Sequence, residues 1–286
     1  MSVGSHRSFP RGLRYDMMCR TGVSLGGNSM DHAAIEQLCT AYQLPAGLLR
    51  QEDPKVVVPE PYVPFIPDKW NRVLVLAEAQ NLSATHKKHR DKLLAMTPPT
   101  RIHRLTARTD RQLGIMPWDN GLLKIAVEVM LGCRAEETAV GNAVFWSLVD
   151  HQDRNVNPTA AMVEHSAKLW GQLLAQLRPE CVITAGAVAR KVIAKLPKSA
   201  SPMQVLSVQL PSPRVLATLS GLFDGTDLLR HYPEVAEVQA RQPGWFKVKN
   251  KVSNSWLVYA CHAASRARLQ NQKSSPRPTA QGVKAR

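Results

Sequence analysis

Residues 72–86 read RVLVLAEAQNLSATH, and the stretch changes character in its middle. Val73, Leu74, Val75, Leu76 and Ala77 form a short, fully apolar run, which predicts a strand buried on both faces, as in a parallel sheet. Glu78, Gln80, Asn81, Ser83 and His86 then follow at once. An open α/β sheet explains this junction, because its ligands sit in the crevice beyond the carboxyl ends of the strands.

Working outward from that strand, the same alternation recurs. A helix is expected around GLLKIAVEVML, and a second apolar run, NAVFWSLV, begins at Asn142. PTAAMVEHSAKLWGQLLAQL spaces Met162, Leu169, Leu173, Leu174 and Leu177 as one helical face, with a cap near Thr159. Arg178-Pro179 leads into the strand CVITAG and a helix from about Ala187. A fourth strand, QVLSVQL, ends at PSPR, and helical sequence continues to about Gln239. Strands alternating with helices require right-handed crossovers and covered faces. The expected fold is therefore α/β, a three-layer α/β/α domain with a central four-stranded parallel sheet. Its carboxyl edge gathers polar clusters at Ala77 to Asn81, Val149 to Gln152, Gly186, and Leu210 to Arg214.

Three regions are expected: residues 1–68 as a basic arm with a helix from Asp31 and a Pro-rich connector, 69–240 as the α/β core, and 241–286 as a basic extension with a disordered end. Lys and Arg total 37 against 22 Asp and Glu, a net charge of +15. Such a balance points to a polyanionic partner, nucleic acid before others, or else to a solvated basic surface. The cysteines, Cys19, Cys39, Cys133, Cys181 and Cys261, are scattered without C-x-x-C pairs, so no metal or iron–sulfur cluster is expected and a reducing compartment is. No membrane span or secretion signal is read, and the expectation is a cytoplasmic, nucleoid-associated monomer without cofactor.

At this point the order of motifs resembles the uracil-DNA glycosylase superfamily over roughly residues 70 to 235. AEAQN is similar to that family's G-E-A-P-G motif, GIMPWDNGLLK to its G-x-P-F-V-G-x-A-G-x-L-L segment, NVNPTAAMVEHSAKLWGQLLAQLRPECVITAGAVARKVI to its N-P-T helix and following strand, and QLPSPR to its closing H-P-S-P-R. There are departures. Gln80 and Asn81 replace proline and glycine, Leu210 stands in place of histidine, and the thermostable branch's cluster-binding cysteines are absent. For the asparagine that reads uracil near the end of the second strand, Ser147 or Asp150 is nearest.

The resemblance implies a DNA glycosylase that extrudes a nucleotide and hydrolyses its base–sugar bond without metal. The carboxylate Glu78 would orient water or stabilise the cationic sugar, with Asn81 or Gln80 positioning that water. Ala77, Gln80, Trp118, Asp119, Ser147 and Asp150 would surround the base, Trp118 by stacking on it. Ser83, Lys87, Lys88 and Arg90 would grip phosphates, as would Pro211, Ser212, Pro213 and Arg214. Lys87 and Arg90 also belong to an insertion with eight basic residues, Lys92, Arg101, Arg104, Arg108 and Arg111 among them. Each position has a plainer reading. Glu78 would be a charge at a helix start, Trp118 core, Asp119 and Asn120 helix caps, PSPR a turn into a helix, and the basic run a solvated helix face.

Because the uracil-reading positions diverge, the substrate expected is a modified base, such as a phage-type cytosine, with a role in defence against such DNA. Uracil repair is the alternative within the same chemistry. The alternatives outside it are a catalytically silent DNA-binding member and a hydrolase of free nucleosides. No lysine is placed as a Schiff-base nucleophile, so lyase activity is not expected.

Overall fold

The computed structural model describes residues 32–45, 48, 55–80, 82, 87–98, 100–101, 113–197, 204–222, 227–248, 251–252 and 254–274. In chain order these form helix α1 (His32–Ala41), strand β1 (Val73–Ala79), α2 (Lys87–Leu94), α3 (Leu122–Leu131), β2 (Ala139–Val144), α4 (Ala160–Leu177), β3 (Cys181–Ala185), α5 (Ala187–Ala194), β4 (Gln204–Val208), α6 (Pro213–Leu222), α7 (Pro233–Arg241) and α8 (Asn254–Ser274). The four strands make one parallel sheet in the order β2-β1-β3-β4. Helices cover both faces, so the expected three-layer α/β/α architecture is the one observed.

The apolar run at residues 73–77 is continuous because β1 is buried on both sides. Val73, Val75 and Ala77 join one core with Ile115, Trp118, α3, α7 and α8, while Leu74 and Leu76 join the other with α1, α4 and α5. Local signals set the flanking helices. Thr159 caps α4, its hydroxyl accepting from the Met162 N–H at 3.2 Å, and Arg178 ends it in the left-handed conformation. The Glu180 N–H then donates to the Arg72 carbonyl at 2.9 Å, which aligns the starts of β1 and β3.

Three boundaries differ from the sequence-based expectation. The second sheet strand is Ala139–Val144 and not the run that begins at Asn142. The chain turns after Val144, and Leu148–Val149 pairs antiparallel with Lys55–Val56 instead. The Pro-rich connector is partly core, since Val58, Tyr62, Val63 and Ile66 are buried. Phe65 also exchanges backbone hydrogen bonds of 2.8 and 2.9 Å with Val140, covering the free edge of β2. Finally, the region expected to be a C-terminal extension supplies α8, whose Val258, Tyr259, Ala260, Cys261, Ala263, Ala264 and Ala267 are buried in the first core. Residues 1–31 and 275–286, expected to be an arm and a disordered end, lie outside the described residues.

Helix α8 also closes the other edge of the sheet. The Gln270 amide accepts from the Ser207 N–H at 3.0 Å and donates to the Ser207 carbonyl at 3.2 Å, taking the place of a fifth strand. The Tyr259 hydroxyl donates to the Gln209 carbonyl at 2.8 Å. Gln270→Ala is expected to lose about 1 to 2 kcal/mol of stability in urea unfolding and to raise amide exchange at Ser207. His262, buried on the same helix, is held down to about 4 by burial first and by the Arg266 charge second. Its folded pKa lies below the ordinary 6.5, so this contribution is full above pH 6.5 and is lost as pH falls through about 4. A His262→Gln variant is expected to show a flatter decline in urea-unfolding stability across that window than the native chain.

Candidate functional site

The chain leaves β1 to form β2 on one side and then crosses to form β3 on the other. The topological switch point, where open α/β sheets bind ligands, therefore lies at the carboxyl ends of β1 and β3. Glu78 stands there, half-buried. Its side chain turns to the face opposite Ala77 and accepts from the Val188 N–H at 3.2 Å, so it sits at the N-terminus of α5. Gly186, with φ of 100°, makes room for it. A methyl group there would press on Glu78 Oε1 and lie 2.8 Å from Cδ. Both readings of Glu78 thus meet in one geometry, a helix-start charge that is also the only carboxylate of the AEAQN loop.

Gln80 follows the strand and is 5% exposed, with Oε1 unpartnered. Against it lies Gly114, at which an added Cβ would be 3.1 Å from Gln80 Nε2. That contact is set by Asp119, whose carboxylate accepts from the N–H groups of Leu113 and Gly114 at 2.7 and 2.8 Å. Asp119 therefore builds the loop over Gln80 and is not turned toward a base edge. Asn120 accepts from the Leu122 N–H at 3.1 Å, a turn contact that leads into α3, whose N-cap is Gly121 and not Asn120. Trp118 is a correction to the stacking expectation. Only 1% of it is exposed, it packs in the first core beneath Lys124, and its Nε1 is unpartnered. Its ring offers no open face for a base here.

Asn142 is the residue that sequence reading passed over. It lies in β2, in register with Ala77, and is 3% exposed with Nδ2 unpartnered. Residues paired across a ladder share a face, so Asn142 meets the core side that holds Trp118. An amide inside the run AVGNAV was the available signal, since a polar side chain within a fully buried strand calls for a partner. Two buried amides, Asn142 inside this ladder and Gln80 just past its carboxyl end, one lacking an acceptor and one lacking a donor, are groups that a polar ligand would satisfy.

Ser147 and Asp150 serve the scaffold. The Ser147 hydroxyl accepts from the Leu82 N–H at 3.2 Å and so fixes the exit of the Gln80 loop. Asp150 lies beyond the antiparallel pair, away from the carboxyl end of β2. It accepts from the Arg154 and Gln152 N–H groups and pairs with the Arg154 guanidinium at 2.7 Å. The Arg154 backbone bond, then its side chain, holds Asp150 down to about 2. Arg90, expected to grip phosphate, is paired with Asp153 at 3.0 Å, and Arg101 is buried against Glu60 at 2.6 Å. Lys87 and Lys88 stay exposed on α2. Asn81 and Ser83 lie outside the described residues.

PSPR begins α6 in the plainer sense. The Ser212 hydroxyl accepts from the Val215 N–H at 3.2 Å, Pro213 occupies the first helical position, and Pro211 is buried, while Arg214 is exposed. Leu210 packs against the first core. The end of β4 nevertheless adjoins the crevice, because the Gly186 N–H donates to the Val208 carbonyl at 3.0 Å.

Among the described residues no group of three or more His, Cys, Asp or Glu is arranged to hold a metal ion, and no helix is long and apolar enough to cross a membrane. No protein-family model matches the chain, and no curated protein does. Gly186→Ala is expected to cost about 2 kcal/mol or more, from the strained φ together with displacement of Glu78, measured by thermal and urea unfolding. The Asp150 turn tests electrostatics separately. Its folded pKa lies below the ordinary 3.8, so its amide protection should persist above that value and disappear as pH falls through about 2.

Proposed function

We propose that the chain is a DNA glycosylase of the uracil-DNA glycosylase kind, which extrudes one nucleotide and hydrolyses its N-glycosidic bond. The observation that carries the reading is the half-buried carboxylate of Glu78 at the carboxyl end of β1; Gln80, just past that strand, and Asn142, on the neighbouring strand and the opposite face of the sheet from Glu78, each keep a buried amide atom without a partner. The motif order supports it, as does the +15 charge of the chain.

The chemistry follows from charge development. As the base leaves with the bonding electrons, the sugar becomes cationic and the base anionic. Glu78 stabilises the sugar cation and orients the water whose oxygen bonds to the anomeric carbon, taking the water's proton. Asn142 offers an amide N–H to the departing base, a role that Leu210 cannot fill. Gln80 accepts from a donor on the base. Proline at that position could not do so, which favours a modified base carrying an added amino or hydroxyl group over uracil.

Glu78→Gln keeps an oxygen for the Val188 N–H and removes only the charge, so it separates chemistry from helix capping. Base release, read by mass spectrometry from DNAs containing uracil, hydroxymethylated cytosine or glucosylated cytosine, is expected to fall about 10²- to 10⁴-fold with folding intact. Unchanged release would remove Glu78 from the mechanism. Release of uracil alone would replace the modified-base reading with uracil repair. No release from any of these DNAs by the native chain, with binding retained, would favour the silent DNA-binding reading, to which Leu210 and the helix-capping Ser212 already lend weight.

A further inference from the structure

The basic residues that follow the AEAQN loop are of two kinds. The arginines described there are engaged with the protein. Arg101 is 7% exposed, and its Nε and Nη2 donate to the two Glu60 carboxylate oxygens at 2.6 and 2.9 Å. Its Nη1 donates to the carbonyls of Leu93 and Met96 at 3.2 and 3.0 Å, so one guanidinium ties the end of α2 to the Pro-rich connector. Arg90 pairs with Asp153 at 3.0 Å, and the exposed Asp91 also turns to Arg90, at 3.9 Å. The lysines are different. Lys87, Lys88 and Lys92 are exposed, and none has an ion-pair partner among the described residues.

Helical geometry keeps the two kinds apart. Lys88 and Lys92 stand one turn apart on one face of α2, with roughly 6 Å between Cβ atoms, while Arg90 and Leu93 lie on the other. Leu93, 2% exposed, joins Val58, Tyr62 and Leu82 in a small core of their own. Leu82 stands two residues after Gln80, and its N–H is held by the Ser147 hydroxyl at 3.2 Å. The core that seats α2 is therefore built on the exit of the crevice loop, and the lysine face stands beside the candidate site. Lys55, exposed on the short strand opposite Val149, adds a charge from another segment. The Arg90 hydrogen bond above all holds the Asp153 carboxyl below its ordinary value, and the charges of Lys55 and Lys87 both add to that effect, which sets them about the same residue. Like charges one turn apart weaken a helix, so the fold gains nothing from Lys88 and Lys92 together. A polyanion would gain from them, since each phosphate neutralised releases counterions.

We propose that the exposed lysines of α2, with Lys55, form a phosphate-gripping surface for the DNA strand that enters the crevice, and that Arg101 and Glu60 are positioning residues that set its place. DNA as the polyanion rests on the glycosylase reading, but the surface is measured by binding and not by base release. The test is fluorescence anisotropy of the full chain on a labelled DNA oligonucleotide across a salt series. Native protein is compared with Lys87→Gln/Lys88→Gln/Lys92→Gln and with Arg101→Met, thermal melts checking that each folds. Glu60→Gln, which keeps an oxygen for the guanidinium, reads the positioning step where Arg101→Met does not fold.

The lysine variant is expected to lose about 10-fold or more in affinity and roughly 2 to 3 in the slope of log affinity against log salt. The positioning variants are expected to lose about 3-fold or more and to lower the same slope, although Arg101 is buried, an effect that a stabilising role alone would not produce. Unchanged affinity and slope in the lysine variant overturns the surface and leaves the glycosylase reading to be judged by base release. Loss in the lysine variant with none in Arg101→Met or Glu60→Gln overturns the positioning role. Lysine-dependent binding to phosphatidylserine vesicles without binding to DNA marks a membrane face and overturns the proposal. Lysine-dependent DNA binding by a native chain that releases no base leaves the surface standing while the glycosylase reading falls.

Discussion

The rest of the structure depends on the burial of β1 from every direction. It hydrogen-bonds to β2 on one side and β3 on the other, and each of its faces is covered by a separate apolar core. A strand so placed tolerates no unpaired polar side chain along its length. Polar residues belonging to it must gather at its carboxyl end, where the sheet stops and the crevice opens. Glu78 and Gln80 are therefore where the fold permits polarity, and the left-handed Gly186 opposite them is what leaves the carboxylate room.

The same constraint explains how much of the molecule is devoted to closing the edges of a small sheet. Phe65 takes one edge and Gln270 the other, so residues remote in sequence complete a four-stranded sheet that would otherwise present unpaired backbone. Many charged and polar residues near the crevice are likewise engaged in construction. Asp119, Ser147, Asp150 and Ser212 each accept backbone N–H bonds, and Arg90 and Arg101 are neutralised by Asp153 and Glu60. The amides of Gln80 and Asn142 differ in that each keeps a buried atom without a hydrogen-bond partner, as the Trp118 indole also does.

Composition had suggested a broad basic surface leading away from the first motif. The structure divides that charge differently. The insertion's arginines at 90 and 101 tie α2 and its neighbours to the core, while its lysines at 87 and 88 remain exposed.

The sequence by itself determined the elements governed by local physics. The continuous apolar run of β1, the Thr159 cap and helical period of α4, the strand after Pro179 and the helix after Gly186 were all legible, because periodicity and capping act within a few residues. The parallel three-layer arrangement followed from their alternation. Tertiary structure alone decided the end of β2, since an apolar run cannot show where pairing changes partner, and with it the place of Asn142. It also decided that Trp118 faces the core, that the Pro-rich connector and α8 close the sheet, and which charges are paired. Those outcomes turn on contacts between residues tens to hundreds of positions apart, and no local pattern encodes them.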